Sequence, residues 1–309
     1  MYRFFMKLKQ VYLAIILVFS GLLTACTQKT ELPQPEGQNE IILSGTLGNP
    51  LPATRGNGAV AEEALPVAGL PVAFLRLDAA ADGLYAADFT GLPVKQAVIA
   101  KDLSISFTPP EYYQRDLADT KLISWYPEGV WDAAAGKATV PIDGTTDLLI
   151  AEPVVVNEIL QQKVHYSHAL TQINVYAYVE TDADRDYWGN ITSIIVSGKG
   201  QDCELMMPET NPAGGNPAPV PQFVGNSDLE LVDKPVQPNE NTIHGKLCGW
   251  AMVAPCETLQ LILKTDRQEA RLIPIDHPLE AGKIYAITLK LGKAVEPARA
   301  ATISLPSTL

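Results

Sequence analysis

The sequence predicts an all-β protein with two β-sandwich domains in tandem behind a leader, and three observations carry that prediction. Short runs with apolar residues at every second position recur along the chain, separated by turn residues. No run keeps a helical period for more than about three turns. The chain has 309 residues, 47% of them hydrophobic, which is enough for two separate cores.

The leader comes first. MYRFFMKLKQ is basic, and VYLAIILVFSGLL is an apolar run of 13 residues, too short to span a bilayer. It ends in Leu23-Thr24-Ala25-Cys26. That ending resembles a bacterial lipobox, which implies a signal peptide over 1–25 and a diacylated, palmitate-bearing Cys26. Each buried methylene of such chains adds roughly 0.8 kcal/mol, so the anchoring would be durable. TQKTELPQPEGQ (27–38) is polar and proline-bearing and reads as a tether.

The first strand follows in IILSGTL. Ile41, Leu43 and Leu47 share one parity, with Gly45 between them. The next stretch, PLPATRGNG, places Arg55 and Gly56 alone among small residues. Further strands are read in LPVAFLRL, AVIAKDLSISF, KLISWYP and TDLLIAEPVVV, with QRDLADTK as one helical turn or a loop.

KVHYSHALTQINVYAYVE carries the parity change. Val164, Tyr166, His168 and Leu170 are even, whereas Ile173, Val175, Ala177 and Val179 are odd. A slip of one residue turns a strand's core face to solvent, so the switch marks a bulge or a strand whose two ends serve two cores. The domain boundary is placed just before it, near residue 162. ITSIIVSG, ETLQLILKT, ARLIPID and GKIYAITLKL are the strands of the second half, and PETNPAGGNPAPVP is a loop. A last strand-like stretch alternates Ala301, Ile303 and Leu305 with Thr302 and Ser304.

Removing Arg3, Lys7 and Lys9 with the leader takes the net charge from −12 to −15. That surface repels nucleic acid, and no basic cluster offsets it. No GxSxG, HExxH or P-loop motif occurs, so no catalytic, cofactor or metal site is expected. His165 and His168 are three apart, which on a strand puts them on opposite faces. Asp182, Asp184 and Asp186 lack the glycine and glutamate of a calcium loop, whose places hold Tyr187 and Ser193; they read as a solvated acidic turn. Cys203, Cys248 and Cys256 allow one bridge at most, between Cys248 and Cys256 across a hairpin, or none. Tyr112, Tyr113, Trp125, Tyr126 and Trp131 cluster in sequence, as core aromatics or as a platform for sugars.

The lipobox, the strand followed by Thr-Arg-Gly, and the phrase SHALTQINVYAYVE together resemble the fimbrillin family, the type V pilin-like fimbrial lipoproteins of Bacteroidia. TVPIDGTTDLLIAEPVVV and GKIYAITLKL are similar to family stretches too, and the likeness runs from Ile41 to Leu291. The resemblance implies two transthyretin-like β-sandwiches and no enzymatic activity. It implies an outer-membrane lipoprotein precursor, held by Cys26, that is cut by an arginine-specific protease at Arg55-Gly56. The strand with Ile41, Leu43 and Leu47 would then leave, and the strand with Ala301, Ile303 and Leu305 of a neighbouring fimbrial subunit would replace it. The expected parts are thus a leader (1–25), a tether and removable strand (26–55), a first domain (56–162) and a second (163–309). Within the family a lipid-retaining anchor or tip subunit is the alternative, and outside it a monomeric glycan-binding surface lipoprotein.

Overall fold

The computed structural model describes residues 38–48, 65–212, 215–232, 234–240, 245–292 and 301–304. Of the unit Met1–Gln38 only Gln38 is among them; Asn39–Leu309 forms one compact unit. Nearly all its regular structure is β, in three sheets.

The first sheet contains β1 (Ile42–Leu47), β2 (Leu70–Asp78), β3 (Lys95–Ile99), β4 (Ser104–Thr108) and β5 (Thr120–Tyr126). Next in the chain come β6 (Val130–Asp132) and β7 (Lys137–Ile142), then β8 (Leu149–Ala151), β9 (Val154–Val156) and β10 (Lys163–His168). Apart from β6 and β7 these run in the order β2-β3-β4-β1-β10-β8-β5-β9, and a further β2–β5 pairing closes the sheet on itself. Ile41, Leu43, Phe74, Ile99, Ile105, Phe107 and Tyr166 fill the space inside.

Two strands read as single runs are pairs. AVIAKDLSISF folds as a hairpin of β3 and β4, because Leu103 takes a φ of 65° and turns the chain. TDLLIAEPVVV breaks at Glu152-Pro153 into β8 and β9, consistent with a proline's poor fit within a strand. QRDLADTK holds a short 3-10 turn, Arg115–Leu117.

The second half has β11 (Thr171–Val179), α1 (Asp182–Trp188), β12 (Ile191–Met206), β13 (Val220–Glu230), β14 (Asn239–Glu240), β15 (Lys246–Val253), β16 (Leu259–Thr265), β17 (Arg271–Ile275), β18 (Ile284–Leu291) and β19 (Ala301–Ser304). One sheet runs β14-β11-β18-β19, with β15 also on β11; the other runs β17-β16-β12-β7-β6, with β13 on β12. Ile173, Val175, Ile194, Leu261, Tyr285 and Ile287 pack between them. Asp182 to Asp186, read from the sequence as a solvated acidic turn, are the start of α1, and Asp184 is buried. Thr181 caps the helix by accepting from the Asp184 amide and donating to its carboxylate at 2.6 Å.

β12 is much longer than ITSIIVSG and continues through Cys203 and Leu205. That distal half pairs with β7 of the first half. A third core results, with Leu75, Leu77, Ile123 and Trp125 on one side and Val140, Cys203, Leu205 and Met252 on the other. This is why LPVAFLRL is apolar at nearly every position: Val72 and Phe74 face the first core, Ala73 and Leu75 the third.

The parity change has a physical cause. β10 lies in the first sheet between β1 and β8, while β11 lies in the second half. Val164 and Tyr166 serve the first core, and Ile173 and Val175 the second. The hand-over falls at Ala169-Leu170, beyond the boundary at 162. The Ala169 amide donates to Leu148 O, and Leu170 O accepts from Gly282 N, both at 2.8 Å.

Candidate functional site: the seat of the first strand

Strand β1 is a central strand, not an edge. It pairs antiparallel with β4, Leu43 opposite Ile105, and parallel with β10, Leu47 opposite Tyr166. Its alternation decides its orientation: Ile41, Leu43 and Leu47 are buried, and Ile42 is 52% exposed. Gly45 occupies the third inward position, where a side chain has little room. A Cβ on Gly45 would stand 3.1 Å from Ile105 Cδ1 and 3.6 Å from Val164 O.

The backbone ahead of and along β1 is tied on both sides. The Ile41 amide donates to Glu111 O and the Gly45 amide to Leu103 O, each at 2.8 Å. Tyr113 N donates to Asn39 O at 3.0 Å, and Asn39 Nδ2 donates to the Glu158 carboxylate. The Glu111 carboxylate is itself held by Arg76 at 2.7 Å and Lys95 at 2.6 Å, which fixes the loop over the start of the strand.

Below β1 stands Tyr166, fully buried. Its hydroxyl meets Ser124 Oγ at 2.6 Å, and Ser124 donates to Ala73 O at 2.9 Å. Burial pushes the phenol well above its ordinary range. On the outer face Thr46 Oγ1 contacts His165 Nδ1 at 2.6 Å. The seat is therefore an apolar trough with three large pockets, one narrow position, and hydrogen-bonding backbone along both walls.

The other candidate residues are spread widely. Ala301 and Ile303 lie in β19, which among the described residues has β18 as its one neighbour; the register pairs Ile303 with Ile287 and Ala301 with Leu289. Cys26, Arg55, Gly56 and Leu305 lie outside the described residues. His165 is exposed, whereas His168 is buried with Nδ1 2.7 Å from Asp147 Oδ2, so the two do indeed face opposite ways. Among the described residues no cluster of His, Cys, Asp or Glu is arranged for a metal ion, and no helix is long and apolar enough to cross a membrane.

The aromatic cluster is part interior and part half-buried, with Tyr112, Tyr126 and Trp131 in the second group. Trp125 is fully buried and Tyr113 nearly so. Trp131 stacks edge-on with Phe89 at 5.9 Å and donates its indole N–H to Leu92 O at 2.9 Å. Cys203, Cys248 and Cys256 are free thiols; burial raises Cys203 to about 11 and Cys248 to about 12.

Two features escaped the sequence reading. β13 has no counterpart among the strands read from the sequence, because its apolar residues are few and mostly exposed. The long reach of β12 was hidden by Gly198 and Gly200, which interrupt its alternation at a bulge.

Fold and site together define an all-β architecture with an internal first strand. Solved structures share this fold. A "putative cell adhesion protein" from Bacteroides uniformis superposes with a TM-score of 0.52 at 14% identity, over 88% of this chain and 97% of that one. One from Bacteroides ovatus superposes with a TM-score of 0.53, also at 14% identity, over 87% and 96%. A fimbrial assembly protein from Parabacteroides distasonis gives 0.44 at 13% identity, over 87% and 99%. No family model matches the chain, and no curated protein matches it.

Proposed function

We propose that this protein is a non-enzymatic structural subunit of a surface fimbria that supports adhesion. It is made as an outer-membrane lipoprotein on Cys26 and polymerised by strand exchange. The observation that carries the reading is the position of β1. Among the described residues ahead of Arg55 it is the segment built into a core, and it is flanked by strands on both sides. Cutting at Arg55-Gly56 would sever its covalent link to the rest of the sheet. Its departure would leave unpaired backbone on β4 and β10 and apolar pockets beneath. An added strand satisfies both needs. Supplied head to tail by a neighbour, such strands build an open filament.

In this reading Ile41, Leu43 and Leu47 belong to the removed strand, and the donor is the stretch with Ala301, Ile303 and Leu305. The fold of the Bacteroides neighbours is compatible with it, as is the resemblance of the sequence to fimbrillins. The partners are other fimbrial subunits and an arginine-specific protease. The proposed division of the body into two domains, 56–162 and 163–309, is kept with its boundary moved to Ala169-Leu170, because β10 is a wall of the first. The test is the N-terminus and intact mass of protein sheared from cells. A chain beginning at Gly56 without lipid supports strand exchange. A chain beginning at acylated Cys26 replaces it with a lipid-retaining anchor or tip subunit.

A further inference from the structure

The stretch 303–309 repeats the side-chain pattern of β1. Residues 41–47 read IILSGTL and residues 303–309 read ISLPSTL, with identity at Ile41/Ile303, Leu43/Leu305, Thr46/Thr308 and Leu47/Leu309. The inward set of the first strand is large, large, none, large: Ile41, Leu43, Gly45, Leu47. The matching set in the second stretch is Ile303, Leu305, Ser307, Leu309. The one small residue falls at the one narrow position.

We propose that the trough vacated by β1 accepts residues 303–309 of a second copy of this chain in the same direction and register as β1, with Ser307 at the position of Gly45 as the residue that sets that register. This rests on the strand-exchange reading above and assigns its register.

Other registers fail on the same geometry. Sliding the donor so that Ala301 takes the Ile41 pocket puts Leu305 at Gly45, where a Cβ alone already stands 3.1 Å from Ile105 Cδ1. Running the donor in reverse with Ala301 at Gly45 puts Arg299 in the Leu47 pocket, where its charge would be buried without a partner. In the proposed register no charge is buried, and the Ser307 hydroxyl has the Val164 carbonyl, 3.6 Å from the Gly45 Cβ position, as an acceptor. Pro306 falls on the outward position of Ser44, which is exposed. It gives no N–H to the ladder, so the donor holds one backbone bond fewer than a non-proline residue would allow. Partner choice follows: a donor strand with a large residue at the third inward position would be refused.

The experiment uses the chain from residue 27 onward, cut at Arg55 or, if that bond resists, at a protease site introduced within 49–58. Fluorescent peptides spanning 301–309 are titrated against it: the native sequence, Ser307→Leu and Ala301→Leu. The same substitutions are made in the whole chain, and polymer ladders are followed on gels in mild detergent. The native and Ala301→Leu peptides should bind within about twofold of each other, and Ser307→Leu at least tenfold more weakly, with ladders in the same order. If the peptides bind in that order but the whole chain forms no ladder, the register holds and the filament reading falls. If Ser307→Leu binds as well as the native peptide, or no peptide binds, the register is overturned. Ladders that persist in that case leave the filament reading standing.

Discussion

Strands β1 and β19 both alternate and sit in very different places. With Ile41 just ahead of it, β1 sets three side chains in a closed core and has a neighbour on each side; among the described residues β19 has one neighbour, β18. The contrast teaches that alternation defines a strand but not its worth. Worth comes from what the seat buries, and the seat is made by distant parts of the chain.

The largest expected effect is in the first core. Leu43→Ala should destabilise the uncut protein by about 2–5 kcal/mol, as a lowered denaturant midpoint with unchanged slope, because it leaves a hole between β4 and β10. Ile303→Ala should cost far less, since β19, with a single neighbour among the described residues, has little to lose. An equal loss at both positions would break the comparison. Next comes Gly45→Val, which presses into Ile105 and should cost about 1–3 kcal/mol by overpacking. Ile105→Ala in the same chain should recover part of that loss, and no recovery would locate the strain elsewhere.

A smaller effect depends on pH. Cys203 and Cys248 have folded-state values raised by burial to about 11 and about 12, above the thiol's ordinary value. Each is neutral in the fold while the unfolded chain ionises first. Stability is therefore complete below about pH 8.5, the ordinary thiol value, and declines as pH climbs toward 11–12. Denaturant midpoints at pH 8 and pH 10 should differ, and Cys203→Ala should shrink the difference. Smallest is Thr46→Val, which removes the contact with His165 on the solvent face. A change of more than about 1 kcal/mol there would mean that this exposed pair matters more than such pairs usually do.

Much of this was legible in local sequence. Alternation in 41–47 located β1 and named its inward residues, because one face of a half-buried strand must be apolar. The parity change in 164–179 marked either a bulge or a passage from one core to another. It could not say that β10 belongs to the first sheet, because that depends on which strands stand on either side of it. Trp125 and Trp131 could be read as core or platform; the arrival of β12 and β7 over the first sheet decided for core at Trp125. β3 and β4 merged into one run because the turn at Leu103 has no glycine or proline to mark it.

By itself, then, the sequence determined that the chain is all-β, that its first strand carries Ile41, Leu43 and Leu47 on one face, and that residues 303–309 carry the same pattern. Periodicity and side-chain size are local properties, and a strand shows them whether or not it is folded. Only the tertiary structure decided that β1 is central and that Gly45 faces Ile105. It also decided that a third core binds the two halves. These facts depend on pairings between residues far apart in the chain, such as Leu43 with Ile105 and Thr46 with His165, and no local pattern encodes a partner.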